Sequence, residues 1–165
     1  MEAQEATAAV AIIKTSSPQE SFLILRRASH PLDPWSGHFS FPGGRREQGD
    51  KNLLQTSIRE TMEEVGIALT PAMMQARLPI TPAGRNMKAP ILVQPFIFCL
   101  YNQPSVIPDS REVQSIHWLD AKEFQNLENH RQVELLPDRV FPAFPLGNYY
   151  LWGFTYTLLK SILNM

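Results

Sequence analysis

The chain has 165 residues, 44% hydrophobic and 19% charged, with a formal net charge of −1. That is one domain's worth of chain with enough apolar residues for a core, which excludes a mainly disordered polypeptide. The near-zero charge excludes a bulk electrostatic pull toward nucleic acid or acidic membranes, and a single cysteine, Cys99, excludes an intramolecular disulfide.

At the N-terminus, "MEAQEATAAVAIIKTS" is acidic where a secretory signal would be basic. No apolar run approaches the ~20 residues of a membrane span, so a soluble cytoplasmic protein is expected, with neither membrane nor nucleic acid as partner. "ATAAVAII" and "SFLILRRA", separated by the hydrophilic "KTSSPQE", predict two neighbouring antiparallel strands. "SHPLDPWSGHFSFPGG" is punctuated by proline and glycine and predicts an irregular surface loop. A helix is predicted over roughly 51–65, with Asp50 as N-cap and Gly66 as its stop.

Further on, "ILVQPFIFCLY" predicts a buried strand, interrupted or bulged at Pro95, with Cys99 a core residue rather than a nucleophile. "EVQSIHWLDA" predicts another strand, followed by a short helix in "AKEFQNL". "QVELLPDRVFPAFPLG" has no clear period, and "YLWGFTYTLLKSIL" closes the chain as a helix. Trp118 and Trp152 are expected in the core, and His30, His117 and His130, which lack ligand spacing, are expected to be structural. No repeat or linker divides the chain, so residues 1–165 are expected to form a single domain. The class is α/β, or α+β, with a mixed sheet flanked by helices.

The chemistry is concentrated in "GGRREQGDKNLLQTSIRETMEEVGI". On a helical projection Leu54, Ile58, Met62 and Val65 fall within about 80° and form the predicted buried stripe. Glu60, Glu63 and Glu64 fall within about 100° on the opposite side. A solvated polar face is the ordinary meaning of such a pattern, but two costs count against it. Like charges at i,i+3 and i,i+4 repel by roughly 0.2–0.5 kcal/mol per pair. Negative charge in the last turn also opposes the helix dipole by about 0.3–1 kcal/mol per residue. Three hard oxygen ligands on a rigid helix suit a divalent cation such as Mg2+ or Mn2+. Arg59 is placed to reach Glu63 at i,i+4. The adjacent Gly43 and Gly44 permit positive φ or close backbone approach beside the helix.

These residues resemble the signature of the Nudix hydrolases, G-x5-E-x7-R-E-U-x-E-E-x-G-U, where U is a bulky aliphatic residue. Gly44 leads to Asp50 in the first acidic position, then to Arg59-Glu60, Glu63-Glu64 and Gly66-Ile67. The chain departs from the signature in three ways: Asp replaces the first Glu, eight residues rather than seven precede Arg59, and Thr61 takes an aliphatic position. From about Phe22 onward, "LRRASHPLDPWSGHFSFPGG", "ILVQPFIF", "REVQSIHWLD" and "LWGFTYTLL" look like the coenzyme A diphosphatase-like branch. That branch shows an upstream Arg-Ser followed by a second Arg. Here Arg27 precedes Ala28-Ser29, and Leu32-Asp33 stand where the second basic residue would be.

The resemblance implies an α/β/α sandwich and hydrolysis of a nucleoside diphosphate linked to another group, a small-molecule nucleotide-diphosphate substrate. It implies Mg2+ or Mn2+ on Glu60, Glu63 and Glu64, with Glu60 and Glu64 the best pair and Glu63 sharing the site or anchoring Arg59. Glu112 is a candidate fourth carboxylate. Arg27, Arg45 and Arg46 are candidate phosphate contacts, Gly43 and Gly44 shape the loop, and His38 and Trp35 face the expected site. Coenzyme A or its derivatives, ADP-ribose, NADH, a dinucleotide or an oxidised nucleoside triphosphate stay open as substrate, with a catalytically silent nucleotide-binding domain as the other reading, and the general base and homodimer formation stay open too.

Overall fold

The computed structural model describes residues 5–33, 35–84 and 90–165. Its elements are β1 (Ala8–Ser17), β2 (Ser21–Arg27), β3 (Phe39–Ser40), β4 (Gly43–Arg45), α1 (Leu53–Val65), β5 (Met74–Arg77), β6 (Thr81–Ala83), β7 (Ile91–Asn102), β8 (Val113–Asp120), α2 (Ala121–Gln125), β9 (Arg131–Leu136), β10 (Arg139–Leu146), β11 (Tyr149–Trp152) and α3 (Phe154–Ile162). Strands β1 to β8 form one mixed sheet, and β9, β10 and β11 form a separate antiparallel one. The parallel pair is β1 with β7, from Ala8 opposite Val93 to Ser17 opposite Asn102. As expected, β1 and β2 are antiparallel, with Lys14 opposite Phe22.

The β1–β2 pair opens into a split. Only Lys14 and Thr15 of β1 register with β2, whereas Ala8 to Val10 register with β4. On its side of the split β2 pairs with β3, Leu25 opposite Ser40. The segment predicted as an irregular loop therefore contains two short strands that fill the opening. The polar backbone of "HFSFPGG" is satisfied there by ladder bonds rather than by water.

Alternation along the central strands separates two cores. Ile12, Phe22, Ile24, Ile97 and Leu119 face α3, α2 and the smaller sheet through Phe144, Leu151, Phe124 and Leu159. Ala9, Ala11, Ile13, Leu23, Leu25, Phe96 and Phe98 face the other way, toward α1 and Val65. The side-chain period of two delivers successive residues to opposite faces. Ala9 and Ala11 keep the sheet surface low beneath α1. The result is the expected mixed sheet between helical layers, with an antiparallel sheet that the sequence reading did not anticipate.

Two further expectations are corrected, and a segment without a predicted element is resolved. Pro95 neither interrupts nor bulges β7, since Val10 stays opposite it. Its carbonyl accepts the Leu78 amide, so the N–H that proline lacks would face the same edge, where pairing passes from β6 to β5. "QVELLPDRVFPAFPLG" is a β-hairpin turning at Asp138 with φ 59°. "YLW" belongs to β11 rather than to the last helix, because Gly153 at φ 74° breaks the chain direction before α3. Cys99 and Trp118 are half-buried and pack against the two cores, and Trp152 is half-buried against His38 and Phe141. Among the described residues no helix is long and apolar enough to cross a membrane.

Candidate active site

The N-terminal end of α1 is organised by a buried carboxylate. Asp50 is 7% exposed and takes Arg59 in a forked contact, Nε to Oδ1 at 2.9 Å and NH2 to Oδ2 at 3.0 Å. The same carboxylate accepts the Thr56 hydroxyl and the Glu47 amide, each at 2.9 Å. Arg59 holds Asp50 far below the usual carboxylate range, and Asp50 in turn raises the Arg59 pKa. Asp50 is therefore not the N-cap. That role falls to Asn52, whose side chain accepts the Gln55 amide, and the helix begins at Leu53. The expected C-terminal stop holds, with Gly66 at φ 71° and its N–H on the Met62 carbonyl.

The face that α1 buries is not the expected aliphatic stripe. Thr56, Ser57, Thr61, Glu64 and Val65 are buried, Leu54 and Ile58 are half-buried, and Met62 is 48% exposed. Close approach to the sheet favours small side chains. Their hydroxyls are satisfied within the helix, Thr61 on the Ser57 carbonyl and Ser57 on the Leu54 carbonyl, each at 2.7 Å. A threonine can thus occupy the aliphatic position without leaving a polar group unpaired.

The glycine pair works by close approach, since neither residue is among those with positive φ. A Cβ on Gly43 would lie 2.3 Å from the Ala9 carbonyl oxygen, and one on Gly44 would lie 2.6 Å from Glu60 Oε1. The Gly43 amide donates to Glu64 Oε1 at 2.8 Å. Glu64 is only 3% exposed, and burial pushes its carboxyl up to about 8 against the Gly43 hydrogen bond. Burial also pushes Glu60 up to about 7, opposed chiefly by Arg59, whose NH1 is 3.1 Å from Glu60 Oε1.

The third carboxylate comes from the segment after β7. The last carbonyls of a helix lack intrahelical partners. Here the Ile107 and Asp109 amides take those of Val65 and Glu64, at 2.8 and 2.9 Å. The chain then turns at Asp109 and presents Glu112, whose carbonyl accepts the Ala28 amide at 2.9 Å. Glu60, Glu64 and Glu112 each offer an oxygen within 4.8 Å of the other two. Glu63 lies outside this group, half-exposed and paired with Arg59 at 3.1 Å.

The NUDIX domain profile matches residues 5–139, most of the chain. The chain belongs to the Nudix family. It is 28% identical over 157 residues to the uncharacterized Nudix hydrolase NudL of Yersinia pestis, covering 94% of this chain and 77% of that one. Its fold is similar to the NUDIX domain of Shewanella oneidensis NrtR in complex with ADP ribose, with a TM-score of 0.67 at 17% identity, covering 99% and 89% of the two chains. It is also similar to a C. elegans Ap4A hydrolase, with a TM-score of 0.55 at 24% identity over 72% and 82%. A bifunctional NMN adenylyltransferase/ADP ribose pyrophosphatase from Francisella tularensis, in complex with AMP and a Mn ion, gives a TM-score of 0.64 at 17% identity over 98% and 42%.

Around the Nudix helix, the remaining expected site residues divide. Arg27 points NH1 at Glu64 Oε2, 3.9 Å away, while its Nε donates to Asp33 Oδ2 at 2.9 Å. Arg45 contributes its carbonyl to Arg59, and its side chain is exposed. Arg46 is engaged structurally, donating to the Asp50 and Lys51 carbonyls. His38 stacks on Trp152 at a ring separation of 5.4 Å, and burial lowers its pKa. Trp35 packs against the small cluster of Ala8, Ala83 and Val93 as an anchor of its loop. The other histidines make structural contacts: His30 accepts the Leu32 amide, His117 meets Phe39 edge-on, and His130 bridges the Tyr156 hydroxyl and the Phe124 carbonyl. Asp33 was noted in the sequence only as standing where the resemblance would place a basic residue, and its pairing with Arg27 was not anticipated.

Proposed function

We propose that this Nudix protein is a divalent-cation-dependent pyrophosphatase that cuts a nucleoside diphosphate linked to another moiety. Coenzyme A and its derivatives are the first substrates to test, followed by ADP-ribose, bound in one similar structure, and dinucleotides, since another is an Ap4A hydrolase. The carrying observation is the convergence of Glu60, Glu64 and Glu112 within 4.8 Å, with burial making Glu60 and Glu64 reluctant to ionise alone. An all-carboxylate donor set fits Mg2+ or Mn2+ and no soft metal. When bound, the cation supplies charge neutralisation of the diphosphate and a more acidic water.

The chain's own residues do the positioning. The Gly43 amide fixes Glu64, and Arg59, itself held by Asp50, fixes Glu60 and Glu63. Arg27 stands beside Glu64, where its guanidinium can meet a phosphate oxygen. Glu112 sits at the solvent side of the cluster, open to accept a proton from an attacking water. The test is hydrolysis of coenzyme A, acetyl-CoA, NADH, ADP-ribose and diadenosine polyphosphates with Mg2+ or Mn2+, in wild type and Glu64→Gln, with products separated by chromatography. Metal-dependent cleavage at the diphosphate in the wild type and its loss in the variant is expected. No cleavage of any compound, or equal activity in the variant, rejects the reading.

A further inference from the structure

The Arg27 guanidinium links two carboxylates. Its Nε donates to Asp33 at 2.9 Å and its NH1 lies 3.9 Å from Glu64. A single guanidinium group therefore separates Asp33 from the carboxylate cluster. Asp33 is held in place: its second oxygen accepts the Trp35 amide at 2.9 Å, its own amide donates to the His30 carbonyl, and its side chain is only 18% exposed. The loop is fastened at its base as well, the Arg27 amide donating to the His38 carbonyl and Arg26 Nε to the Gly37 carbonyl, each at 2.9 Å. This wall is preformed and holds the Asp33 carboxylate in place against Arg27.

Among the described residues of this wall, neither arginine is left free for a further anion. The Arg27 charge is matched by Asp33. Arg26 is turned away, with NH1 on Asn148 Oδ1 at 2.7 Å and its guanidinium over the Tyr149 ring at 4.7 Å. A diphosphate at the cluster would find Arg27 and a cation. A further phosphate on the group beside it would meet Asp33, and among the described residues of this wall no unpaired guanidinium to receive it.

We infer that Asp33 is a specificity-determining residue that selects nucleoside diphosphate derivatives lacking an additional phosphate beside the diphosphate. The inference rests on the reading of the carboxylate cluster as a diphosphate site. Within coenzyme A chemistry it favours the dephospho form, and among dinucleotides it favours NADH over NADPH.

The experiment compares kcat/KM for dephospho-CoA against CoA and for NADH against NADPH in wild type, Asp33→Asn and Asp33→Ser. In parallel, titration calorimetry compares AMP with adenosine 3′,5′-bisphosphate in Mg2+, which needs no turnover. The wild type should favour the less phosphorylated partner by about tenfold, an interaction of one carboxylate with a nearby phosphate in partly screened surroundings. The asparagine keeps an acceptor for Arg27 and removes the charge, so both members of a pair can weaken together while their ratio moves toward one. Equal preference in the wild type, or ratios unmoved in both variants, overturns the inference. Loss of all turnover with the binding ratio intact would instead count against the hydrolase reading and leave the role of Asp33 supported.

Discussion

Gly43 and Gly44 are adjacent in the chain and meet different neighbours. A methyl on Gly43 would run into the backbone of β1 at the Ala9 carbonyl, which cannot step aside without disturbing the central sheet. One on Gly44 would meet the end of the Glu60 side chain, which can rotate away. Gly43→Ala should therefore cost at least about 1–3 kcal/mol of stability, measured by denaturant unfolding. Gly44→Ala should fold with nearly the wild-type midpoint and lose on the order of a hundredfold in kcat/KM, because Glu60 is displaced. The opposite ranking of stabilities would show that the glycines do not act through these contacts. The pair was legible as a close-approach motif, but which residue faces the strand and which the glutamate depends on β4 register, which no local pattern specifies.

At the scale of the element, α1 breaks ordinary helix rules, and its surroundings show why it holds. Its acidic C-terminal turn is buried against Gly43 at Glu64 and held by Arg59 at Glu60 and Glu63. Raised carboxyl pKa values have a definite consequence for the metal-free protein. Folding favours the protonated forms of Glu60 and Glu64, so their contribution is fully present below about 4.5 and is lost as pH rises through about 7 and about 8. In EDTA the melting temperature should fall across this window, and Mg2+ should restore more at pH 8 than at pH 5.5. Glu64→Gln should flatten both trends. An EDTA curve that stays level in the wild type would contradict the burial of these acids. Asp50 behaves in the opposite sense, contributing above the ordinary carboxylate range and losing that contribution only in strong acid.

The glutamate spacing and the helix stop were legible in α1. The N-cap and the buried face were not, because Asp50 and the hydroxyl residues are claimed by tertiary contacts that override local propensity.

Over the whole molecule, one face of the mixed sheet carries α1 and the carboxylate cluster, while the other carries α2, α3 and the smaller sheet. A cavity made on the second face should cost stability without touching the chemistry. Leu159→Ala, at a fully buried position, should lose about 2–5 kcal/mol in unfolding measurements and keep kcat near wild type well below its melting point. The strands of the mixed sheet were visible wherever β-branched and aromatic residues alternate. The hairpin of β9 and β10 was hidden by its prolines, and β11 by a run that suits either period until Gly153 turns the chain. The site was half visible for a related reason. Glu60, Glu63 and Glu64 share a helix, whereas Glu112, only a candidate in the sequence, is brought to them by loop contacts with residues distant in sequence.

Anomalous diffraction from crystals soaked in Mn2+ would reveal whether Glu60, Glu64 and Glu112 together hold the cation. A Mn2+ peak among these three carboxylates is expected in the wild type, with its loss or strong weakening in Glu64→Gln. A peak elsewhere, or an undiminished peak in the variant, would contradict it.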